Sequence, residues 1–366
     1  MKLAVDIGTT LIKAESLDGS FKQTIENPQK KFSPNVLGRV SEAISGKSLE
    51  LRDCLMESLE RLAIESACNE MAITGNSVML YILLGLDMNV FIPPYNSFKE
   101  LMIEKREIAG ICVYTLPCFY PFFGADALGM LFKDNIMELD NFIAVDFGTN
   151  CEIAAGNGEK ILMTSVPAGP AFEGEGIECG KPAIDGAICS VHISKQLEIS
   201  TIGKKKANGI CGSGLISLIS ELKRKDLLDG CIIKPSPWTK NGIFYITPEV
   251  FIKPEDIEEF LKAWASVRTG IEYVYRYIRF NNTHKLKISG NFLSTIKQED
   301  LFYLGLADKN TYIEYSGNTS LDLAISFLKN PDIIKKSIEN IKNRMSYLEL
   351  AKFSDFSDVY FRNFKV

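Results

Sequence analysis

One short segment of this chain is written twice, and that repeat limits the possible folds more than any other feature. Leu3-Ala4-Val5-Asp6-Ile7-Gly8-Thr9-Thr10 and Ile143-Ala144-Val145-Asp146-Phe147-Gly148-Thr149-Asn150 share one pattern, with their aspartates 140 positions apart. Each is an apolar run, then Asp, one apolar residue, Gly, Thr and a small polar residue. The run reads as a buried strand. The Gly permits a tight turn in which backbone comes close to a ligand. The Thr offers that ligand a hydroxyl and an N–H. A single copy would describe many ordinary hairpins. Two copies at domain-sized spacing indicate a duplicated domain whose turns face each other across a cleft. That arrangement suits a nucleoside triphosphate, because N–H-rich turns cradle phosphate oxygens and carboxylates hold Mg²⁺ mostly through water.

Composition narrows the classes. A length of 366 residues suits two domains, and 46% apolar residues can form a sizeable core. A net charge of −5 argues against a nucleic-acid partner, and Lys204-Lys205-Lys206 reads as a solvated loop. No apolar stretch approaches the roughly 18 residues of a membrane span. Asp6 interrupts the first strand, so no signal peptide is expected and the chain reads as cytoplasmic. Nine cysteines, an odd number without any Cys-x-x-Cys, suggest reduced and mostly buried thiols. The two histidines, His192 and His284, are too isolated for a zinc site or a His-based triad.

The same plan runs through both halves. After the first turn, Leu11–Leu17 and Phe21–Ile25 read as strands around the hairpin signal Asp18-Gly19. Leu51, Leu55, Leu59 and Leu62 recur at helical spacing. Met71–Ile73 is a short strand before Thr74-Gly75-Asn76-Ser77, and Val78–Leu86 a helix. Pro93-Pro94-Tyr95-Asn96 marks a loop, Ile111–Leu116 a strand, and Gly124-Ala125-Asp126-Ala127 opens a helix. The stretch Asp134–Asp140 closes the first half. In the second, Phe142–Val145, Glu152–Ala155 and Ile161–Val166 repeat the three strands. A long helix is expected over about Glu255–Phe280, with a one-sided apolar stripe and acidic residues at its start. Leu286–Ser289 is a strand, and Gly317-Asn318-Thr319-Ser320 a cap before a final helical region.

Candidate site residues follow from the turns. Asp6 and Asp146 are read as orienting Mg²⁺-bound water, the alternative being simple turn capping. Gly8, Thr9 and Thr10 would meet the phosphates from one side, and Gly148, Thr149 and Asn150 from the other. Gly290 and Asn291, after Ser289, either back the adenosine or form a strand-end turn. The Gly-rich run from Gly169 to Gly176 carries Glu173 and Glu175; Glu173 either orients an attacking or metal-bound water or belongs to a solvated acidic loop. Gly212-Ser213-Gly214, at a helix start, is either an anion site or a place of tight packing. Ser213, with no His or Lys nearby, is a poor nucleophile.

Taken together, the motifs resemble the actin-like (ASKHA) ATPase superfamily. Within it they resemble the ATPase region of the ATP-dependent reductive activators of corrinoid enzymes. Asn27-Pro28-Gln29, Gly75-Asn76-Ser77-Val78-Met79, Phe123-Gly124-Ala125-Asp126, the stretch from Asp146 to Glu152, Ala168 to Gly174, Gly209 to Leu215 and Gly317-Asn318-Thr319-Ser320 fall in that family's order. The resemblance implies an α/β fold of duplicated ribonuclease-H-like domains, as in actin, sugar kinases and Hsp70. The halves would be residues 1–139 and 140–366, the second with a C-terminal helical region, with ATP and Mg²⁺ in the cleft. It implies slow, partner-stimulated ATP hydrolysis coupled to reduction of Co(II) to Co(I) in a corrinoid protein or corrinoid methyltransferase. The partner-facing edge would include Ser165.

Such activators usually carry an iron–sulfur domain before this region. The sequence here opens on the ATPase region and has no cluster spacing, so no iron–sulfur cluster and a separate electron-donor protein are expected. Gly290-Asn291, with Leu293 further on, replaces the family's glycine-rich pattern. Two other readings remain: a sugar or carboxylate kinase with Glu173, Glu175 or Asp185 as base, and a non-catalytic ATP-binding partner.

Overall fold

The computed structural model describes residues 1–108, 110–132, 141–280, 284–290, 296–308 and 310–364. The chain forms two compact units, residues 1–138 with 318–345, and residues 139–317 with 346–366.

In the first unit, β1 (Lys2–Ile7), β2 (Leu11–Ser16), β3 (Lys22–Glu26), β4 (Glu70–Gly75), β5 (Glu104–Ile108) and β6 (Ile111–Thr115) form one sheet. Its order is β3-β2-β1-β4-β6-β5. The first three strands are antiparallel neighbours, while β1, β4 and β6 run parallel. Every residue from Leu3 to Ile7 is buried, as a strand covered on both faces requires. The expected leucine stripe lies on helix Ser48–Ser66, where Leu51, Leu55, Leu59 and Leu62 are all buried. β6 is the strand expected over Ile111–Leu116, whereas β5 had no expectation from the sequence; Glu104–Ile108 is charged and half exposed, as an edge strand tends to be.

The first unit is completed by residues far along the chain. Helices Thr319–Lys329 and Pro331–Arg344 belong to it, so this compact unit is discontinuous and draws on residues the sequence reading counted with the 140–366 half. The reason is packing. Helix Thr319–Lys329 lies so close to helix Ala125–Phe132 that a Cβ at Gly129 would overlap the Thr319 carbonyl. Phe327 sets its ring edge-on to Tyr114 at 5.2 Å.

The second unit repeats the sheet plan. β7 (Phe142–Asp146), β8 (Asn150–Gly156) and β9 (Ile161–Pro167) are antiparallel neighbours, and strands Lys285–Ser289 and Tyr312–Ser316 add in parallel beyond β7. The duplication extends to register: Asp6 stands opposite Thr74, and Asp146 opposite Ser289. The expected long helix spans Pro254–Ile278, and Asp256 caps its start by accepting from Lys253 N–H at 2.9 Å. It packs on the sheet at Gly270, where a Cβ would overlap the Ile153 side chain. β10 (Ala187–Ile193) and β11 (Leu197–Thr201) form a hairpin for which the sequence reading gave no assignment. The closing stretch Asp134–Asp140 lies outside the described residues.

Candidate functional site

The first turn is held from behind. Three consecutive carbonyls are tied to the body of the unit: Gly8 O accepts from Asn27 Nδ2 at 2.8 Å, Thr9 O from Arg39 Nη2 at 2.6 Å, and Thr10 O from Asn27 N–H at 2.9 Å. In a planar trans peptide the next N–H points opposite to the carbonyl. The N–H groups of Thr9 and Thr10 are therefore turned away from the body, as an anion cradle needs. Gly8 closes the hairpin by donating to Leu11 O at 3.0 Å, and a Cβ there would stand 2.7 Å from that oxygen. Only glycine fits.

Two asparagines brace this turn in the same way. Asn76 Oδ1 accepts from Met79 N–H and so caps helix Ser77–Leu84, while its Nδ2 donates to Thr9 Oγ1 at 3.4 Å. Asn318 Oδ1 accepts from Leu321 N–H and caps helix Thr319–Lys329, while its Nδ2 donates to Asp6 Oδ2 at 3.1 Å. Ser320 Oγ donates to Asp6 Oδ1 at 2.8 Å and lies 2.9 Å from Thr74 Oγ1. Asp6 is buried and holds both oxygens against side-chain donors.

In the second unit Asp146 is half buried and its Oδ1 accepts from Ser289 Oγ at 2.7 Å. Phe147 N–H donates to Ser289 O at 2.9 Å, so the register partner fixes the turn twice. Gly169 N–H donates to Thr149 O at 2.9 Å, bringing the Gly-rich run to that turn. Gly169 (φ 74°) leads into the short helix Pro170–Glu173, whose Phe172 is anchored among Phe147, Phe260 and Trp264 at 5.4, 6.1 and 6.1 Å. That anchor positions Glu173, whose Oε1 lies 4.0 Å from where a Gly148 Cβ would stand.

The remaining candidates sit elsewhere in that unit. Ser165, on β9, donates to Glu152 Oε1 at 3.3 Å. Gly212 and Ser213 are buried at the start of helix Gly212–Arg224. There a Cβ at Gly214 would overlap the Ile188 carbonyl, the mark of close helix–strand packing. Gly290 (φ 141°) directly follows Ser289. Asn291 lies outside the described residues.

The donor set fits a phosphate-bound Mg²⁺. Among the described residues no three His, Cys, Asp or Glu converge to cage a metal. Each turn instead has a strand-end carboxylate beside hydroxyl and N–H donors, which suits a cation carried largely by water and phosphate oxygens.

A family model described as the C-terminal domain of RACo, the ASKHA domain, matches residues 140–366, and one described as the RACo middle region matches residues 1–138. The chain belongs to the RACo family. The solved structure of a "Reductive activator for corrinoid,iron-sulfur protein" superposes on this RACo-family chain with a TM-score of 0.88 at 25% identity, covering 100% of it and 66% of that chain. A "[Co(II) methylated amine-specific corrinoid protein] reductase" from Methanosarcina barkeri is 26% identical over 98% of this chain and 75% of its own. A "Corrinoid activation enzyme RamQ" from Eubacterium limosum is 30% identical over 62% of this chain and 42% of its own. The RACo-family match carries the ASKHA fold, and the repeated sheet order is its expression here. No described helix is long and apolar enough to cross a membrane.

The sequence reading missed the supports behind the turns. Asn76 and Asn318 were legible as Gly-Asn-Ser and Gly-Asn-Thr caps, but their second hydrogen bonds were not. Thr74 and Ser289 could have been found by aligning the register of the repeat. The sequence reading placed no element at Arg39, which lies on the short helix Val36–Glu42.

Proposed function

We propose that this RACo-family chain binds Mg·ATP on its two Asp-x-Gly-Thr turns and couples slow hydrolysis to the reduction of a corrinoid protein or corrinoid methyltransferase from Co(II) to Co(I). The observation that carries the reading is the Gly8–Thr10 turn, whose three carbonyls are drawn back so that the Thr9 and Thr10 N–H groups are turned away from the body of the unit. The names of the relatives supply the corrinoid. Thr9, Thr10, Thr149 and Asn150 donate to phosphate oxygens. Asp6 and Asp146 accept from water on Mg²⁺, which neutralises phosphate charge when bound. Glu173 orients the attacking water. A reduced donor protein supplies the one electron. ATP alters the cobalt's surroundings rather than phosphorylating a metabolite, so the two sites are coupled. We assign the partner-facing edge to the neighbourhood of Ser165 and Glu173.

The test measures phosphate release and Co(I) absorbance with the corrinoid protein, a chemical reductant, and ATP present or omitted. Hydrolysis should be slow alone and rise with the partner, and Co(I) should accumulate only with ATP. A phosphorylated sugar or carboxylate formed at ordinary kinase rates would replace this reading with a small-molecule kinase. ATP binding with neither turnover nor Co(I) would leave a non-catalytic partner.

A further inference from the structure

Arg39 is fully buried, on helix Val36–Glu42 behind the first turn. Its guanidinium makes four contacts, all to neutral acceptors. Nε donates to Ser33 O at 3.0 Å, Nη1 to Gln29 Oε1 at 3.2 Å and to Met79 Sδ at 3.3 Å, and Nη2 to Thr9 O at 2.6 Å. Among the described residues no carboxylate pairs with it. The acid that faces it is the Cys54 thiol, which burial pushes up and keeps protonated. Burial draws the guanidinium itself down to about 10, still charged at neutral pH.

A buried cation without a counter-ion is costly. Hydrogen bonding alone does not explain it, since a neutral donor could hold the same carbonyls. Its shortest bond goes to the turn that presents N–H groups. A cation on the Thr9 carbonyl polarises the peptide and strengthens the Thr10 N–H as a donor on the opposite side.

We infer that Arg39 is a positioning residue for a polyphosphate on the Gly8–Thr10 turn, with the ligand's negative charge as its missing counter-charge. The inference rests on the nucleotide reading above and adds a basis for preferring a triphosphate over a nucleoside. The cation acts through one peptide unit and need not touch the ligand. Its field persists in the buried setting, where screening is weak.

The test compares ATP and adenosine binding by calorimetry for the wild type, Arg39→Met and Arg39→Lys. Methionine keeps length and apolar volume and removes the charge, which for a buried ion can leave the fold intact. Arg39→Met should weaken ATP binding about tenfold or more, the scale of one charge-assisted contact, and leave adenosine binding unchanged. Arg39→Lys should fall between. Equal losses for ATP and adenosine, or no loss for ATP, would overturn the inference. A wild-type measurement guards against variants that do not fold: inorganic tripolyphosphate alone should raise the melting temperature, and no rise would count against the inference. If ATP does not bind the wild type at all, the nucleotide reading fails, and the inference about Arg39 then stands only if tripolyphosphate raises the melting temperature of the wild type and not of Arg39→Met.

Discussion

At the scale of single residues, the repeat is not symmetric in energy. Asp6 is buried and accepts from Asn318 and Ser320, whereas Asp146 is half buried and accepts from Ser289. Removing a buried acceptor leaves its donors unpaired, at about 1–3 kcal/mol for the site. Asp6→Ala should therefore lower the melting temperature clearly and also weaken Mg·ATP binding. Asp146→Ala should weaken Mg·ATP binding with a smaller loss of stability, because Asp146 is itself only half buried and water can enter where its carboxylate stood. Thermal melts and calorimetry on both variants decide this. Equal stability losses would show that the asymmetry in burial has no energetic weight, and wild-type ATP affinity in both would remove the carboxylates from the site. Ser165→Ala is a separate case. It loses one 3.3 Å bond to Glu152, so stability should change little. Reactivation of the corrinoid partner should fall while partner-free hydrolysis stays level; unchanged reactivation would take Ser165 off the partner-facing edge.

At the scale of elements, the Gly-rich run is positioned by one aromatic anchor. Phe172→Ala should cost about 3–5 kcal/mol as a buried aromatic truncation, and turnover should fall further than stability because Glu173 loses its fixed place. A truncation that destabilises but leaves turnover per folded molecule unchanged would detach Glu173 from catalysis. Helix Pro254–Ile278 and strand Lys285–Ser289 carry a second expectation. His284 stacks on Phe280 at 4.8 Å and meets Tyr275 at 5.5 Å. Burial holds its imidazole below the ordinary 6.5. The unfolded chain then takes up the proton first, so stability is full above that value and falls as pH drops through it toward the folded value. His284→Phe should flatten that part of the stability–pH curve, and an unchanged curve would assign the acid loss to other groups. The sequence was a good guide to these elements wherever period and burial agree. β1, β7, the leucine helix and the long helix all present a continuous apolar run or stripe. It was a poor guide to the β10–β11 hairpin. There Leu197–Thr201 is half exposed and mixed in character, and its partner is fixed by the helix packed on the other side. Gly214 was ambiguous for a related reason. Closeness of backbones is a tertiary property, and a glycine in a helix looks the same whether it faces an anion or another helix.

At the scale of the whole molecule, the chain completes its first unit only after building most of the second. Residues 318–345 return to the unit formed by residues 1–138. Helix Thr319–Lys329 buries Leu321, Leu323, Ala324, Phe327 and Leu328 there. At about 1.5–3 kcal/mol for each large apolar side chain, this one helix contributes a sum comparable to the net stability of a typical domain, about 5–15 kcal/mol. It also brings Asn318 and Ser320 to Asp6. A fragment of residues 1–138 should therefore lack a cooperative melt, although a family boundary falls at its end. Adding a peptide of residues 318–345 in trans should restore one, with a midpoint that rises with peptide concentration. Ser320→Ala in the peptide should restore less, because the carboxylate of Asp6 then loses a donor that no other described residue replaces at Oδ1. Circular dichroism melts of the fragment with and without each peptide make the comparison. A fragment that melts cooperatively by itself, at a midpoint the peptide does not move, would show that the first unit needs nothing from the far end of the chain.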